Sequence, residues 1–237
     1  MHLEAVLLDM GGVLLDMRAS NGVPPGRFDF RGRQALLGAL DGSEIGSDDL
    51  ERLVFAPWRR EYRERYRRGR EASWTPHLDR LRAAIDERRS DLELLEIWFA
   101  PFGESLRPVA GAPEAVEELA ARGLRLGLVS NVPLPGALYR RVLERFGMAK
   151  SIEVFEFSYD SGHRKPSPYM LRSALEVLAT SIDHAVMVGD RRDSDVVAGR
   201  TAGTATVWIR SDRDRGPEPD WAIDSIAQLP ALLERSA

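Results

Sequence analysis

The sequence predicts an α/β protein: a doubly wound, Rossmann-like parallel sheet with an inserted helical domain. Three observations carry that reading. From about residue 106 onward, short apolar runs alternate with helical patterns, as βαβ units require. The apolar run Ala5-Val6-Leu7-Leu8 near the N-terminus is too short to be stable alone and has to join a larger sheet. Residues 17–105 show amphipathic helical periodicity and no convincing strand.

In chain order, the first strand is residues 5–8, apolar on both faces as a buried parallel strand must be. Helical stretches follow at residues 33–40, 48–55, 57–68, 76–88 and 91–99. The chain returns near residues 105–111, where Pro108, Gly111 and Pro113 suit a hinge and then a helix start. Strands at 124–129, 152–157, 185–188 and 205–209, with a weaker one at 221–223, alternate with helices at 113–122, 134–146, 168–178 and 194–202. Residues 211–219, rich in Arg and Asp, read as a surface loop, and no internal repeat or low-complexity tract interrupts the pattern. Residues 1–16 and 106–237 therefore form the expected core domain, and 17–105 the helical one.

Composition narrows the function classes. The chain has 237 residues, 33 basic and 37 acidic side chains and a formal charge of -4, which argues against a general nucleic-acid binder. At 43% hydrophobic residues it has material for a packed core, and composition argues against disorder. The absence of cysteine removes disulfides, thiolate metal sites and a cysteine nucleophile. The N-terminal stretch lacks a basic start, and its apolar run is too short for a signal or a membrane span, so the expectation is a soluble, cytoplasmic protein with no membrane partner. Against 31 Arg there are only two Lys, Lys150 and Lys165.

In an open parallel sheet, ligands bind beyond the carboxyl ends of the strands. Asp9-Met10-Gly11-Gly12 follows the first strand, and Ser130-Asn131 follows the second. The third leads into His163-Arg164-Lys165-Pro166, and the fourth into Gly189-Asp190 and on through Asp193-Ser194-Asp195. One sheet edge thus collects carboxylates, a hydroxyl, an amide and a lysine. Phosphoryl transfer needs that set. A carboxylate attacks phosphorus only when the phosphate oxygens are neutralised, and two carboxylates can hold Mg2+ for that purpose. A lysine and a short hydroxyl grip the remaining oxygens, and glycines let the backbone approach. Taken singly, Asp9 reads as a turn residue, Ser130-Asn131 as a helix cap, Lys165 as a solvated loop residue and the acidic cluster as a helix start. Their joint occurrence in order at strand ends favours chemistry.

These motifs resemble the haloacid dehalogenase superfamily, mostly phosphatases. The first is matched by Leu7-Leu8-Asp9-Met10-Gly11-Gly12-Val13-Leu14, with Asp16 before the insertion, and the second by Val129-Ser130-Asn131. The third is matched by Arg164-Lys165-Pro166, and the fourth by Gly189-Asp190 through Asp195. The resemblance covers the whole chain and implies a helical cap of the C1 type. It implies Asp9 as nucleophile and Mg2+ ligand, with metal contacts from Asp190 and the Gly11 backbone. It also implies phosphate contacts from Gly12, Ser130, Asn131 and Lys165, and a supporting role for Asp195. The substrate would be a small phosphorylated metabolite, and the intermediate an aspartyl-phosphate.

One departure stands out. Gly11 occupies the position where most phosphatases of the family carry an acid–base aspartate. A non-catalytic phospho-ligand binder is therefore the competing reading. A metal-independent dehalogenase is a third, disfavoured by Asp190 and Asp195. Two features of the insertion and its neighbourhood complete the inventory. The stretch 58–70 holds seven Arg and two Glu, with Trp58, Tyr62 and Tyr66 on one helical face. It reads first as an aromatic stripe packed inside the cap, with a solvated face carrying Glu61–Arg65 and Glu64–Arg68 pairs. The alternative has one or two of its arginines recognising a second anion on the substrate. His163, and less so His77, are weak candidates for a substitute acid–base group.

Overall fold

The computed structural model describes residues 2–17, 25–40 and 43–236. Six parallel strands form the central sheet: β1 (Ala5–Leu8), β4 (Arg125–Ser130), β5 (Val154–Phe157), β6 (Ala185–Gly189), β7 (Ala205–Ile209) and β8 (Trp221–Ile223). Their spatial order is β5-β4-β1-β6-β7-β8, so the winding reverses between β1 and β6. A doubly wound sheet opens its ligand crevice at such a reversal. Register matters here. Leu8 lies opposite Leu128 on one side and Val188 on the other, which brings the ends of the three central strands to one level.

Alternation along β1 builds the core. Ala5 and Leu7 pack into a layer with Met170, Leu171, Ala174 and Leu175 of α9 (Tyr169–Val177) and with Ala198 and Ala202 of α10 (Val197–Ala202). Val6 and Leu8 face the opposite layer. That layer includes Val116 and Leu119 of α6 (Ala112–Ala121), Leu138 and Val142 of α7 (Gly136–Arg145), and Leu229 and Leu233 of α11 (Leu229–Ser236). Both faces are covered, which explains why these strands are apolar throughout.

The insertion is helical, as expected, with α1 (Pro25–Ala39), α2 (Ser47–Leu50), α3 (Ala56–Tyr66), α4 (Thr75–Ile85) and α5 (Asp91–Ser105). Its start at residues 18–24 lies outside the described residues. A π-helical turn at Glu51–Phe55 joins α2 to α3, and α5 continues through Pro101 beyond the expected end at residue 99. Ser90 caps α5, its hydroxyl accepting from the Glu93 N–H while Glu93 accepts from the Ser90 backbone, and this reciprocal pair defines that helix start. The insertion also shares the large core, through Leu50, Trp58, Trp74, Leu94 and Phe99. Phe99 meets Tyr139 of α7 with ring centroids 4.9 Å apart.

One pair of strands was not visible in the sequence. Leu15–Asp16 (β2) pairs antiparallel with Arg107–Pro108 (β3), a two-residue ribbon where the chain leaves and re-enters the sheet region. Two residues are too few for a periodic signal. The strand expected at 152–157 begins only at Val154, because Ala149–Ser151 form a 3₁₀ turn. Among the described residues, no helix is long and apolar enough to cross a membrane.

Candidate active site

Asp9 leaves the end of β1, and its N–H donates to the Val188 carbonyl at 2.9 Å. The carboxylate therefore starts from the middle of the sheet, beside the winding reversal. Lys165 reaches it from the loop after β5. Its Nζ donates to Asp9 Oδ1 at 2.9 Å and to the Val129 carbonyl at 2.6 Å, and lies 2.7 Å from Asp195 Oδ1. The ammonium is buried, which opposes its charge, but Asp195 and Asp9 more than compensate and raise its pKa above the ordinary lysine value. Lys165 is thus a fixed cation between two carboxylates.

Asn131 secures the backbone of that lysine. Its Nδ2 donates to the Lys165 carbonyl at 2.9 Å, and its Oδ1 accepts from the Lys165 N–H at 2.8 Å. Ser130 is buried beside it. Helix capping does not explain the pair, since α7 begins only at Gly136. Asp195 sits in a π-helical turn, Arg192–Val196, where its Oδ2 accepts from the Arg191 N–H at 2.9 Å. Gly189 permits this approach: a Cβ there would stand 2.2 Å from Asp195 Oδ2. Asp193, the remaining acid of that turn, pairs instead with Arg191.

Asp190 is held by its backbone. Its carbonyl accepts from Trp208 Nε1 at 3.1 Å and from Ser211 Oγ at 2.6 Å, leaving the side chain facing Asp9. Oδ1 is buried without a hydrogen-bond partner, and the nearest cation to Oδ2 is Arg213 at 3.8 Å. Burial, with Asp9 and Asp195 close by, pushes its pKa up to about 7. Asp9, Asp190 and Asp195 can each offer an oxygen within 4.8 Å of the others. Three buried carboxylates facing a single lysine, with one oxygen orphaned, fit a hard divalent cation such as Mg2+.

The glycine turn completes the floor. Gly12 has φ +79°, and a Cβ on it would come within 2.5 Å of Asp190 Oδ2. Gly11 is different: a Cβ there meets only Met17 Cγ, at 3.1 Å. The turn is closed by the Leu15 N–H donating to the Met10 carbonyl and the Gly12 N–H to the Leu15 carbonyl, each at 2.9 Å. The Gly11 carbonyl stands outside these bonds.

All these groups line one cavity of about 350 Å³, which gathers Asp9, Gly11, Gly12, Ser130, Asn131, Lys165, Asp190 and Asp195. Its far wall is Tyr62 and Tyr66 of α3, and its remaining cations are Arg164, Arg191 and Arg213. The sequence pointed to the seven arginines of residues 58–70 as possible anion binders, but none of them lines the cavity. The aromatic stripe is partly packing, with Trp58 stacked on Trp74 at 4.0 Å and on Tyr62 at 5.0 Å. Its outer end faces the cavity. Glu61 pairs with Arg65, and no Glu64–Arg68 pair forms among the described residues. Arg213 had no local signal beyond its charged loop, since only folding returns that loop to Asp190.

Neither histidine lines the cavity. His77 is buried in the insertion, its Nε2 2.9 Å from Glu61 Oε2. His163 stacks on Tyr169 at 3.8 Å, and partial burial with Arg70 nearby lowers its pKa.

Comparison with known proteins agrees with this geometry. The family profile of the haloacid dehalogenase-like hydrolases matches residues 3–203. A phosphoserine phosphatase of Thermus thermophilus is 33% identical over 171 residues, 58% of this chain and 68% of that protein. An N-acetylmuramic acid 6-phosphate phosphatase of Pseudomonas aeruginosa is 28% identical over 98% of this chain and 94% of its own length. Among solved structures, a HAD phosphatase of Thermococcus onnurineus superposes with a TM-score of 0.64 at 24% identity, covering 98% of each chain. A 2-haloacid dehalogenase of Pseudomonas syringae reaches 0.67 at 21% identity, covering 99% of this chain and 100% of its own. At these identities the structures speak for the fold alone. With the profile spanning most of its length, the chain belongs to the haloacid dehalogenase-like hydrolases.

Proposed function

We propose that this chain is a Mg2+-dependent phosphatase acting on a small phosphorylated metabolite through an aspartyl-phosphate. Residues 1–16 and 106–237 would be its catalytic core and 17–105 its cap. One observation carries the reading: a buried lysine bridges Asp9 and Asp195 while the neighbouring Asp190 keeps an unpartnered oxygen. The phosphatase names of the Thermus and Pseudomonas relatives support the same class.

Asp9 and Asp190 would hold Mg2+ with the Gly11 carbonyl. When bound, the ion neutralises phosphate charge and so permits an anionic nucleophile to approach. The protein's own groups supply the rest. Lys165 holds Asp9 Oδ1, which leaves Oδ2 to attack phosphorus. A P–O bond to Asp9 forms as the ester oxygen departs with its electron pair and takes up a proton from solvent, which the attacking water of the next step returns. Water then attacks the same phosphorus, releasing inorganic phosphate and restoring the carboxylate. Ser130 donates to a phosphate oxygen, and Asn131 keeps Lys165 in place. Asp195 supports Lys165 and the turn that precedes α10. Tyr62 and Tyr66 shield the far side from water.

Mg2+-dependent release of phosphate from phenyl phosphate, lost in Asp9→Asn, is the expected result. Phosphate binding without turnover on any of a panel of aryl, acyl and sugar phosphates would instead support the binder reading that Gly11 raises.

A further inference from the structure

We infer that Glu71 and Arg164 are positioning residues. Through a buried carboxylate–guanidinium–hydroxyl cluster, they tie the seating of the helical insertion to the two loops that carry Lys165 and Ser130-Asn131. The inference deepens the phosphatase reading and rests on it for its kinetic consequence, though not for its structural one.

The contacts are specific. Residues 69–74, which link α3 to α4, lie against both loops. The Arg164 N–H donates to the Gly69 carbonyl at 3.2 Å, and Arg70 bridges to His163. Trp74 Nε1 donates to the Pro133 carbonyl at 2.8 Å. At the centre, Glu71 Oε1 accepts from the Arg164 guanidinium and from Ser158 Oγ, the latter at 2.5 Å. Ser158 Oγ in turn accepts from the Val132 N–H at 2.9 Å. One carboxylate oxygen therefore reaches the residue before Lys165 directly, and the residue after Asn131 through a single hydroxyl.

The side chains of Glu71, Arg164 and Ser158 are all buried, and Glu71 Oε2 has no hydrogen-bond partner. A buried ion pair with an orphaned oxygen is poor at stabilising a fold, because desolvation offsets the attraction. Burial accordingly pushes the Glu71 carboxyl upward against the pull of Arg164. What such a pair does well is fix geometry, since either partner alone would be an uncompensated buried charge. Here it fixes three chain segments at once. The Arg164 guanidinium also lies over Tyr66 and Tyr62, at 4.7 and 5.5 Å from the ring centroids, so the same residue registers the cavity's aromatic wall.

The test is hydrogen–deuterium exchange on the full chain, read over residues 129–135 and 160–167, for the unaltered protein, Glu71→Gln and Glu71→Asp. Exchange in both loops should rise at least about tenfold in Glu71→Gln, with β1 and β6 as protected as before and Glu71→Asp intermediate. With Mg2+ and phenyl phosphate, kcat should fall about tenfold or more, with KM changing less. Should Glu71→Gln not fold, Arg164→Lys keeps the charge and removes the fork, and it should show the same paired loosening. A merely structural role predicts a lower Tm with both loops and kcat unchanged in the folded protein, and that result overturns the inference. Loosened loops in Glu71→Gln, with the unaltered protein hydrolysing none of the panel, would leave the positioning role standing and overturn the phosphatase reading.

Discussion

Asn131 and Lys165 exchange two hydrogen bonds, side-chain amide against backbone amide, at 2.9 and 2.8 Å. The pair joins the loop after β4 to the loop after β5, so the lysine's stem is fixed before its ammonium meets Asp9. Asn131→Ala removes both bonds. It should cost about 1–3 kcal/mol of stability by chemical denaturation. Turnover should fall about tenfold or more, because a displaced ammonium stabilises developing charge poorly. Asn131→Asp keeps the acceptor for the Lys165 N–H but loses the donor, and should fall between.

Lys165 cannot be exchanged for arginine. Its ammonium is a compact group among Asp9, Asp195 and the Val129 carbonyl, and a planar guanidinium does not fit those three directions. Lys165→Arg should lose about 10²-fold or more in kcat/KM. Lys165→Met leaves buried carboxylates without their cation and should destabilise the protein by about 3–5 kcal/mol at pH 8. Comparing the two variants in urea separates lost charge from lost shape.

The two glycines of the turn should respond oppositely. Gly12→Ala places a methyl against Asp190 at a backbone angle that L-residues rarely adopt, and should abolish both activity and Mg2+-dependent stabilisation. Gly11→Ala meets only the flexible Met17 side chain and should change kcat/KM by less than about threefold.

On the phosphatase reading, position 11 supplies no carboxylate to protonate the leaving group. Aryl and acyl phosphates should therefore turn over about 10²–10⁴-fold faster than alkyl phosphates. Initial rates across esters of graded leaving-group acidity measure this, and equal rates for alkyl and aryl esters would contradict it.

Asp190 gives the metal-free protein a pH dependence of known sign. Its folded pKa, about 7, lies above the value of 3.8 expected for an unfolded chain, so the folded state binds the proton more tightly. Stability should then fall as pH rises from about 4 to 7 and level off above, a loss of about 4 kcal/mol. Mg2+ should reverse the loss, because it replaces the proton. Asp190→Asn should raise the metal-free Tm at pH 8 and remove the response to Mg2+. A Tm that rises with pH over this interval in both proteins would exclude the assignment.

Much of this was legible in sequence because strand ends are local events. Apolar runs of four to six residues mark the sheet, and whatever follows each run must lie at one edge once the strands are parallel and in register. Asp9, Ser130, Asn131, Lys165, Asp190 and Asp195 group together in the sequence for that reason. The scarcity of lysine pointed the same way, with one of two falling in this cluster and the other, Lys150, exposed beside Glu117 at 3.7 Å.

What only the tertiary structure decided involves partners distant in sequence that share no periodic signal. The β2–β3 ribbon joins residues at the two ends of the insertion. Glu71 finds Arg164 and Ser158 because the insertion folds back onto the sheet edge. Arg213, not an arginine of α3, comes nearest Asp190, because the loop after β7 returns past it. The sequence alone determined which side chains gather at the strand ends, since each strand delivers its own next residue to a known edge. Folding decided which side chains close that edge from above, because they arrive on segments whose mutual placement depends on packing across the whole chain.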